Sequence, residues 1–211
     1  MNKSERLSQL ERTELSDARM LASAVSLIVE KGPENLTLKE VGEQAGYSRG
    51  LAGYRFGNKA GLYDFVIRSI GSQWLEQLKR ATANKIGYAA VSAAADAHYA
   101  MCKDAPDDVA AFYILWFGAI GPQSEVRQLI ASIHERRRLD VARWIQRGID
   151  AGELPDSVNP DAVAGQFCSS IVGILYQWLL DPADTQAIAP LFEQLNHSMQ
   201  LCLQVEQPSP R

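Results

Sequence analysis

Two side chains in the middle of the sequence could carry chemistry of their own. His98 and Cys102 are four residues apart, which puts an imidazole and a thiol on one face of a predicted helix. Such a pair could form half of a metal site or a thiolate–imidazole dyad. No further His or Cys lies nearby in the sequence, so a pair packed in a helical core is the alternative interpretation.

The wider sequence lacks the constellation that an enzyme or a metalloprotein requires. Its three His residues are dispersed, and no carboxylates cluster at metal-ligand spacing. The cysteines, Cys102, Cys168 and Cys202, are far apart, which is typical of a reducing compartment. The N-terminus is charged and has no apolar signal segment. We therefore expect a cytoplasmic protein that is not an enzyme and holds neither metal nor cofactor.

A second group of side chains has the chemistry of nucleic-acid recognition. An Arg can contact guanine with two hydrogen bonds, a Leu can touch a thymine methyl group, and a Tyr can bind a phosphate. All three residue types occur within one short stretch, as Arg49, Leu51, Tyr54 and Arg55. The stretch therefore has the side chains that a DNA-reading helix would need.

Two glycines and one lysine in the same region favour the same interpretation. Gly50 and Gly53 each cost a helix about 1 kcal/mol relative to Ala, which a close approach of the backbone to a partner would explain. Lys59 puts a cation at the start of the next predicted helix, where the helix dipole is unfavourable for it. An external anion such as a phosphate would compensate that charge.

Two short helices joined by a tight turn must position these side chains. Thr37 and Glu40 form a capping box that begins the first helix. Gly46 fits the left-handed residue that ends it, and Ser48 follows as the predicted N-cap of the second helix. This pattern predicts a helix-turn-helix, whose second helix can enter a major groove; an ordinary helical hairpin would have the same boundaries.

A longer amphipathic helix over residues 14–31 precedes this pair, and its apolar stripe predicts a three-helix head. Residues 1–12 are polar and charged, and we predict a loose arm there. Its Lys3, Arg6 and Arg12 could touch DNA, as the flexible arms of other helix-turn-helix proteins do.

The composition fits an all-α protein with one small and one larger domain. Apolar residues make up 46% of the 211 residues, and the segments between turns lack alternating β-branched runs. The net charge is -4, but residues 1–60 hold 9 Lys and Arg against 8 Asp and Glu, while the rest holds 12 against 17. DNA binding by the head would thus need a few well-placed contacts rather than a basic field.

The segments 36–50 and 54–63 resemble the DNA-binding head of the TetR family of transcriptional regulators, and the resemblance covers about residues 14–66. It implies a homodimeric helix-turn-helix protein, most often a repressor that leaves its operator when a small molecule binds the helical C-terminal domain. The family often has an aromatic residue at the position of Gly53, whereas here Tyr54 follows it. By position, the resemblance implies DNA contacts from Thr37, Tyr47, Ser48, Arg49, Gly50, Leu51, Tyr54, Arg55 and Lys59.

Residues 61–205 are predicted to form a helical domain that binds a ligand and dimerises. The segment 109–120 is apolar all round and carries four aromatic residues, which suits an apolar cavity with polar handles. The run Arg136–Arg138 lies between acidic residues and is predicted to be a solvated face with local ion pairs. The predicted pocket residues are His98, Met101, Cys102, Phe112, Tyr113, Trp116, Phe117 and Tyr176.

Residues 162–180 carry no charge and have the length of a membrane span. The segment also contains Gln, Ser and Gly, and a helix that is apolar all round can instead be buried on two sides, once by its own domain and once by a second subunit. We therefore predict a four-helix dimer interface and no membrane insertion. Its predicted residues are Gly165, Ser169, Val172, Gly173, Leu195, Met199 and Cys202.

Taken together, the sequence predicts a head at residues 1–60, a ligand-binding and dimerisation domain at 61–205, and a tail at 206–211. The predicted function is a ligand-responsive regulator, a repressor, released from a near-palindromic operator in double-stranded DNA by a small, largely apolar effector. Two alternatives stay open at this point. One is an all-α enzyme or cofactor carrier that uses the pocket with His98 and Cys102, and the other is a helical adaptor that binds protein.

Overall fold

The computed structural model describes residues 8–121 and 124–205, and within these residues it contains α-helices, one 3₁₀-helix at Thr185–Ile188 and no strand. The all-α prediction is confirmed. The α-helices are α1 (Gln9–Lys31), α2 (Leu38–Gln44), α3 (Leu51–Phe56), α4 (Lys59–Thr82), α5 (Gly87–Asp104), α6 (Pro106–Gly118), α7 (Arg127–Asp150), α8 (Pro160–Trp178) and α9 (Ala189–Cys202).

Helix α1 begins earlier than the sequence pattern suggested. Ser8 and Glu11 form a capping box: the Ser8 hydroxyl accepts from the Glu11 N–H at 3.2 Å, and the Ser8 N–H donates to the Glu11 carboxylate at 2.6 Å. The prediction of a loose arm is therefore wrong for residues 9–12, and Arg12 belongs to the helix. The Ser-x-x-Glu spacing was the missed signal. Lys3, Arg6 and the tail at 206–211 lie outside the described residues.

Helix α2 has the predicted boundaries. The Thr37 hydroxyl accepts from the Glu40 N–H at 3.2 Å, and the Glu40 carboxylate accepts from the Thr37 N–H at 2.9 Å. The Lys31 ammonium and the Thr37 groups hold the pKa of Glu40 below its usual value, so its carboxylate is ionised at neutral pH. At the other end Gly46 has φ +80°, and the Tyr47 N–H donates to the Gly42 carbonyl at 2.9 Å in a Schellman arrangement.

Helix α3 is shorter than predicted. It begins at Leu51 with Gly50 as N-cap, and no side chain caps it. The prediction of Ser48 as N-cap is therefore wrong, because the Ser48 carbonyl, not its hydroxyl, accepts from Leu51 at 3.0 Å in the preceding turn. Only Gly53 of the two glycines lies inside the helix, so the helix carries one glycine cost rather than two.

The junction between α3 and α4 is held by a cap. The Asn58 side chain accepts from the Gly61 N–H at 2.9 Å, which starts α4 at Lys59 as predicted. A Cβ added at Gly61 would overlap the Phe56 carbonyl oxygen. The chain therefore needs glycine at position 61 to bring α3 against α4.

We expect Gly61→Ala to lower the free energy of unfolding by about 1–3 kcal/mol, since the junction must open to admit a methyl group. Gly53→Ala is the matched control, because nothing lies within 4 Å of the added Cβ and Ala favours a helix by about 1 kcal/mol. Urea unfolding of both variants measures the difference. Equal stability of Gly61→Ala and the unaltered chain would contradict this account of the junction.

Helix α4 joins the head to the larger helical domain. It packs against α1 and α3 of the head and against α5 and α6 of the larger domain. Helix α1 in turn packs against both α4 and α6. Helices α5, α7, α8 and α9 form the rest of the domain, with α5 against α7 and α9, and α8 against α7 and α9. In the described part of the chain, no helix combines the length and apolar character that crossing a membrane requires.

Candidate nucleic-acid interface and interior cavity

The predicted DNA contacts divide into an exposed set and a packed set. Ser48, Arg49 and Gly50 are exposed in the turn before α3, and the Tyr54 side chain is 91% exposed. Tyr47 and Leu51, by contrast, pack partly against the hydrophobic core of the head. A ring as exposed as that of Tyr54 buries little apolar area and contributes little to the stability of the fold. The turn and the outer face of α3 therefore present side chains that the fold does not need for packing.

Arg49 is the most accessible cation on this surface. Its guanidinium pairs with the Glu43 carboxylate at 2.5 Å, and its side chain is 74% exposed. A surface pair of this kind contributes at most about 1 kcal/mol. The Arg49 side chain can therefore leave Glu43 for a base or a phosphate at low cost.

Arg55 has a different environment. Its guanidinium forms an ion pair with Asp17 of α1 and lies 3.5 Å from the Ser16 hydroxyl, and only 27% of its side chain is exposed. Arg55 is thus engaged within the head in this structure, and its predicted DNA contact stays a prediction. The side chain fastens α3 to α1, because the carboxylate that it neutralises is itself half-buried.

Thr37 and Lys59 already have hydrogen-bond partners inside the head. The Thr37 hydroxyl donates to the Glu40 carboxylate at 2.9 Å. The Lys59 ammonium donates to the Glu34 carbonyl at 2.6 Å and approaches the Pro33 carbonyl at 3.4 Å. The two carbonyls compensate the Lys59 charge, for which the sequence analysis had suggested an external anion. Phosphate binding by Thr37 and Lys59 stays a prediction.

A cavity of about 450 Å³ lies inside the larger domain, between helices α4, α5, α6, α7 and α8. This volume falls in the range of small-molecule sites. Two of the predicted pocket residues, His98 and Tyr113, line it. Its wall is otherwise mainly apolar, with Trp74 and Leu78 from α4 and Trp144 from α7.

The other six predicted pocket residues do not line this cavity, which corrects the prediction. Met101, Cys102 and Phe112 are buried in the core behind it. Trp116 borders a second cleft of about 430 Å³ that also includes Ser169 and Val172. The remaining two are Phe117 and Tyr176, whose rings pack edge to face at 5.7 Å, with Tyr176 53% exposed.

Arg137 is the main residue that sequence reasoning missed. The predicted solvated face holds for Arg136, which is exposed, and the predicted ion pairs hold for Arg138, which pairs with Glu135 and Asp161 at 2.9 Å. The prediction is wrong for Arg137, which lines the cavity with its guanidinium over aromatic rings. The signal was its place four residues after Ile133 and four before Val141, on the apolar stripe of α7.

The Arg137 guanidinium lies over aromatic rings. Its central carbon is 4.7 Å from the ring centre of Trp74, 5.4 Å from that of Phe112 and 5.6 Å from that of Trp116. One of its nitrogens donates to the Tyr113 hydroxyl at 3.4 Å. Cation–π contacts of this geometry attract the charge and fix the plane of the guanidinium.

His98 and Cys102 do not form a reactive dyad. The Nδ1–H of His98 donates to the Ala94 carbonyl at 2.7 Å, since a carbonyl can only accept. Burial and the nearby Arg137 charge lower the pKa of His98 to about 4, and burial raises the pKa of Cys102 to about 12. Both groups are thus neutral at pH 7. Among the described residues, no three His, Cys, Asp or Glu side chains are grouped to hold a metal.

The neutral state of His98 makes stability depend on pH. The unfolded chain takes up a proton near pH 6.5, whereas the folded chain does so only near pH 4, so the free energy of unfolding falls as pH drops through this window. At about 1.4 kcal/mol per pKa unit the loss is at most roughly 3.5 kcal/mol. Urea unfolding between pH 4 and 7 measures it, and His98→Gln should flatten the slope.

His197 supplies the control for this prediction, because it is exposed on α9. His197→Gln should keep the slope of the original protein. Acidic groups contribute equally to all three proteins, so the comparison isolates one imidazole. A slope unchanged by His98→Gln would show that the buried ring is not kept neutral.

The outward face of α8 is uncharged and largely free of contacts within the protomer. Ser169 and Gly173 are exposed there, and nothing lies within 4 Å of a Cβ added at Gly165 or Gly173. Leu201 of α9 is 61% exposed, and the Cys202 thiol contacts the Gln166 side chain of α8 at 3.5 Å.

Two residues of the predicted dimer interface are not available to a second protomer. Leu195 and Met199 are 4% and 0% exposed, because they face the core of their own protomer. Gly165, Ser169, Val172, Gly173 and Cys202 stay predicted interface residues.

Comparison with known proteins agrees with this geometry. Residues 20–65 match the family model described as bacterial regulatory proteins, tetR family. Over 197 residues the chain is 22% identical to the uncharacterized HTH-type transcriptional regulator YfiR of Bacillus subtilis (strain 168), covering 93% of this chain and 96% of that protein.

Solved structures share the fold over nearly the whole chain. A protein from Rhodococcus sp. assigned to the TetR family has a TM-score of 0.73 at 19% identity and covers 90% of this chain and 99% of its own. The complex of SmeT with triclosan has a TM-score of 0.71 at 16% identity, with 93% of this chain and 99% of that chain covered. SmeT is the repressor of the Stenotrophomonas maltophilia multidrug efflux pump SmeDEF. The likeness extends the resemblance from the head to the helical domain.

Proposed function

We propose that this chain, whose head is that of the tetR family of bacterial regulatory proteins, is a dimeric repressor that a small molecule releases from DNA. The observation that carries the proposal is the exposed surface of Ser48, Arg49, Gly50 and Tyr54, which the fold does not use for packing. It lies where a helix-turn-helix protein presents its recognition helix to the major groove.

In the proposed complex, α3 and the turn before it enter the groove. Arg49 reads a base edge, and Tyr54 donates its hydroxyl to a phosphate. Gly50 and Gly53 let the backbone approach closely, because neither has a neighbour within 4 Å of an added Cβ. Thr37, the N-cap of α2, and Lys59, the first residue of α4, contribute further phosphate contacts.

A homodimer places two heads on one operator. We assign the interface to α8, whose outer face is uncharged from residue 162 onward, and to α9, and these helices would form a four-helix bundle with the same helices of a second protomer. Two heads in successive major grooves lie about 34–36 Å apart, so the operator is a near-palindrome. A protein that binds promoters in this way works in the cytoplasm.

Release by an effector follows from the position of the cavity. Helix α4 runs from the cavity wall at Trp74 and Leu78 to the head at Lys59, and α1 packs against both α4 and α6. A ligand that repacks α4 and α6 would change the distance between the two heads. Because the spacing of the operator half-sites is fixed, the liganded dimer would bind the operator more weakly. Effector binding and DNA binding would then oppose each other reciprocally, as a repressor requires.

The deciding experiment titrates the protein into labelled DNA from upstream of its own gene and into unrelated DNA of equal length. We expect binding of the upstream DNA to be tighter by at least about 10³-fold, with an affinity that falls as salt rises and a footprint over two half-sites. Equal affinity for both DNAs at every salt concentration would reject the proposal and favour a helical adaptor for protein partners.

A further inference from the structure

The cavity is cationic although its domain is acidic. Four cationic side chains line it, Arg68, Lys79, Arg136 and Arg137, and the only carboxylate among its lining residues in the described chain is Asp140. Residues 61–211 as a whole hold 12 Lys and Arg against 17 Asp and Glu. The excess of positive charge is therefore local to the cavity wall.

Two of the four cations are compensated by neighbours on the same helix, and a third, Arg136, is exposed to solvent. Arg68 pairs with Asp64 at 2.7 Å and Lys79 with Glu76 at 2.8 Å, while Asp140 pairs with Arg143. The first two cations are exposed at the rim, with 63% and 60% of their side chains in solvent. Rim pairs of this kind are screened by water and have little influence on a ligand inside.

Arg137 is the exception. Within residues 8–121 and 124–205, no carboxylate forms an ion pair with it, and its one hydrogen bond is to the Tyr113 hydroxyl. The rings beneath it attract the charge but cannot accept the N–H groups that lie in the guanidinium plane. A planar fork of donors therefore faces the cavity with most of its hydrogen-bonding capacity unused.

Three further polar groups of the wall, His98, Cys168 and Tyr113, are neutral. His98 has its proton on Nδ1 and a pKa of about 4, and burial raises the pKa of Cys168 to about 11. Burial also raises the pKa of Tyr113, so its hydroxyl keeps its proton and can donate it to a ligand oxygen while it accepts from Arg137. The interior of the site therefore offers one positive charge and one hydroxyl donor side by side.

We propose that the effector is an apolar carboxylic acid whose carboxylate pairs with Arg137 and the Tyr113 hydroxyl, an inference that rests on the proposed role of the cavity as effector site. Its apolar part lies against Leu75, Leu78, Ile133, Phe167 and Ile171, which line the same space. A carboxylate matches the guanidinium fork with two parallel hydrogen bonds, which is the strongest geometry for such a pair.

The same contact explains how binding would reach the head. Arg137 of α7 lies over Trp74 of α4 and over Phe112 and Trp116 of α6. Both α4 and α6 pack against α1. A carboxylate that draws Arg137 toward itself changes the contact between its guanidinium and rings on two helices that support the head.

The test measures ligand binding to the full chain by isothermal titration calorimetry at neutral pH, without DNA. The probes are hexanoate, decanoate and naphthoate, each paired with its neutral primary amide. We expect at least one acid to bind the protein at least about tenfold tighter than its amide, since a charge-assisted hydrogen bond is about twice as strong as a neutral one.

Substitution of Arg137 assigns the charge. Arg137→Gln should weaken the acid by at least about tenfold and leave its amide within about twofold, and Arg137→Lys should restore part of the loss. Arg147→Gln, on the exposed side of α7, is the matched control and should bind both probes as the original protein does. If Arg137→Gln fails to fold, Arg137→Lys is compared with the original protein instead, and its loss of the two-pronged guanidinium should weaken binding of the acid but not of the amide.

Equal affinity for acid and amide overturns the inference, and so does an acid affinity that Arg137→Gln and Arg137→Lys leave unchanged. Failure of all three acids to bind at millimolar concentration also overturns it. A chain that binds the acids but prefers no DNA would instead reject only the proposed function, so the two failures are distinct.

Discussion

Gly173→Arg should convert the protein from a dimer to a monomer and remove tight operator binding. Gly173 is exposed in the middle of α8, and nothing lies within 4 Å of an added Cβ, so the protomer itself accommodates the larger side chain. In the proposed bundle, the guanidinium would be buried against the same uncharged face of the partner without a counterion. Burying an unpaired charge costs several kcal/mol, which exceeds the margin of most interfaces.

The loss of DNA affinity follows from the loss of the second head. Two heads on one operator bind as a linked pair, and the second contact raises overall affinity by about 10²–10⁴-fold. Light scattering after gel filtration should show the mass falling from two chains to one. Fluorescence anisotropy with upstream DNA should show a weakening of at least about 10²-fold.

Gln146→Arg provides the control, because it adds the same charge to an exposed position of α7 away from the proposed interface. It should leave both the mass and the DNA affinity unchanged. A Gly173→Arg variant that stays a dimer would place the interface elsewhere on the molecule.

The elements of the head were predictable because their boundaries are local. The capping box at Thr37, the cap at Asn58 and the left-handed Gly46 are each set by residues within four positions along the chain. The α1 start at Ser8 had the same kind of marker, and it was missed because residues 1–12 were judged by their charge alone. The predicted start of α3 was wrong because Ser48 could be either a helix N-cap or a residue of the preceding turn, and only the turn geometry separates these two roles.

The side-chain partners were less predictable because they depend on distant parts of the chain. The sequence shows that Arg55 and Arg137 are cations, but not that one meets Asp17 of α1 and the other meets rings of α4 and α6. The aromatic residues of α6 were expected to line the pocket from their composition. Most instead fill the core, since a helix that is apolar all round buries several faces and only Tyr113 meets the cavity.

Arg55→Ala should destabilise the head, whereas the resemblance to the family implied that it would relax base specificity. The buried carboxylate oxygen of Asp17 lies against the Arg55 guanidinium, so Arg55 is the group that neutralises it. Removing one partner of a half-buried pair leaves that charge uncompensated and should lower the free energy of unfolding by about 1–3 kcal/mol. Asp17→Ala in the Arg55→Ala background should recover part of the loss, as a double-mutant cycle would measure.

Arg49→Ala should show the opposite pattern. Its pair with Glu43 is on the surface, so stability should stay within about 0.5 kcal/mol of the original. Binding to the operator should weaken by about 1–3 kcal/mol, and a set of operators mutated one base pair at a time should show relaxed preference at a single position. An equal weakening on every operator would instead assign Arg49 to a phosphate.

The two arginines lie at opposite ends of α3 and its preceding turn, so the pair of variants decides which end reads the sequence. A half-buried cation that already neutralises a carboxylate must break that pair to reach DNA, and the cost opposes whatever the base contact contributes. An exposed cation exchanges a weak surface pair for a contact with DNA at little cost. If Arg55→Ala keeps its stability and loses specificity at one base pair, the Asp17 pair opens on binding and Arg55 is the base reader that the family resemblance implied.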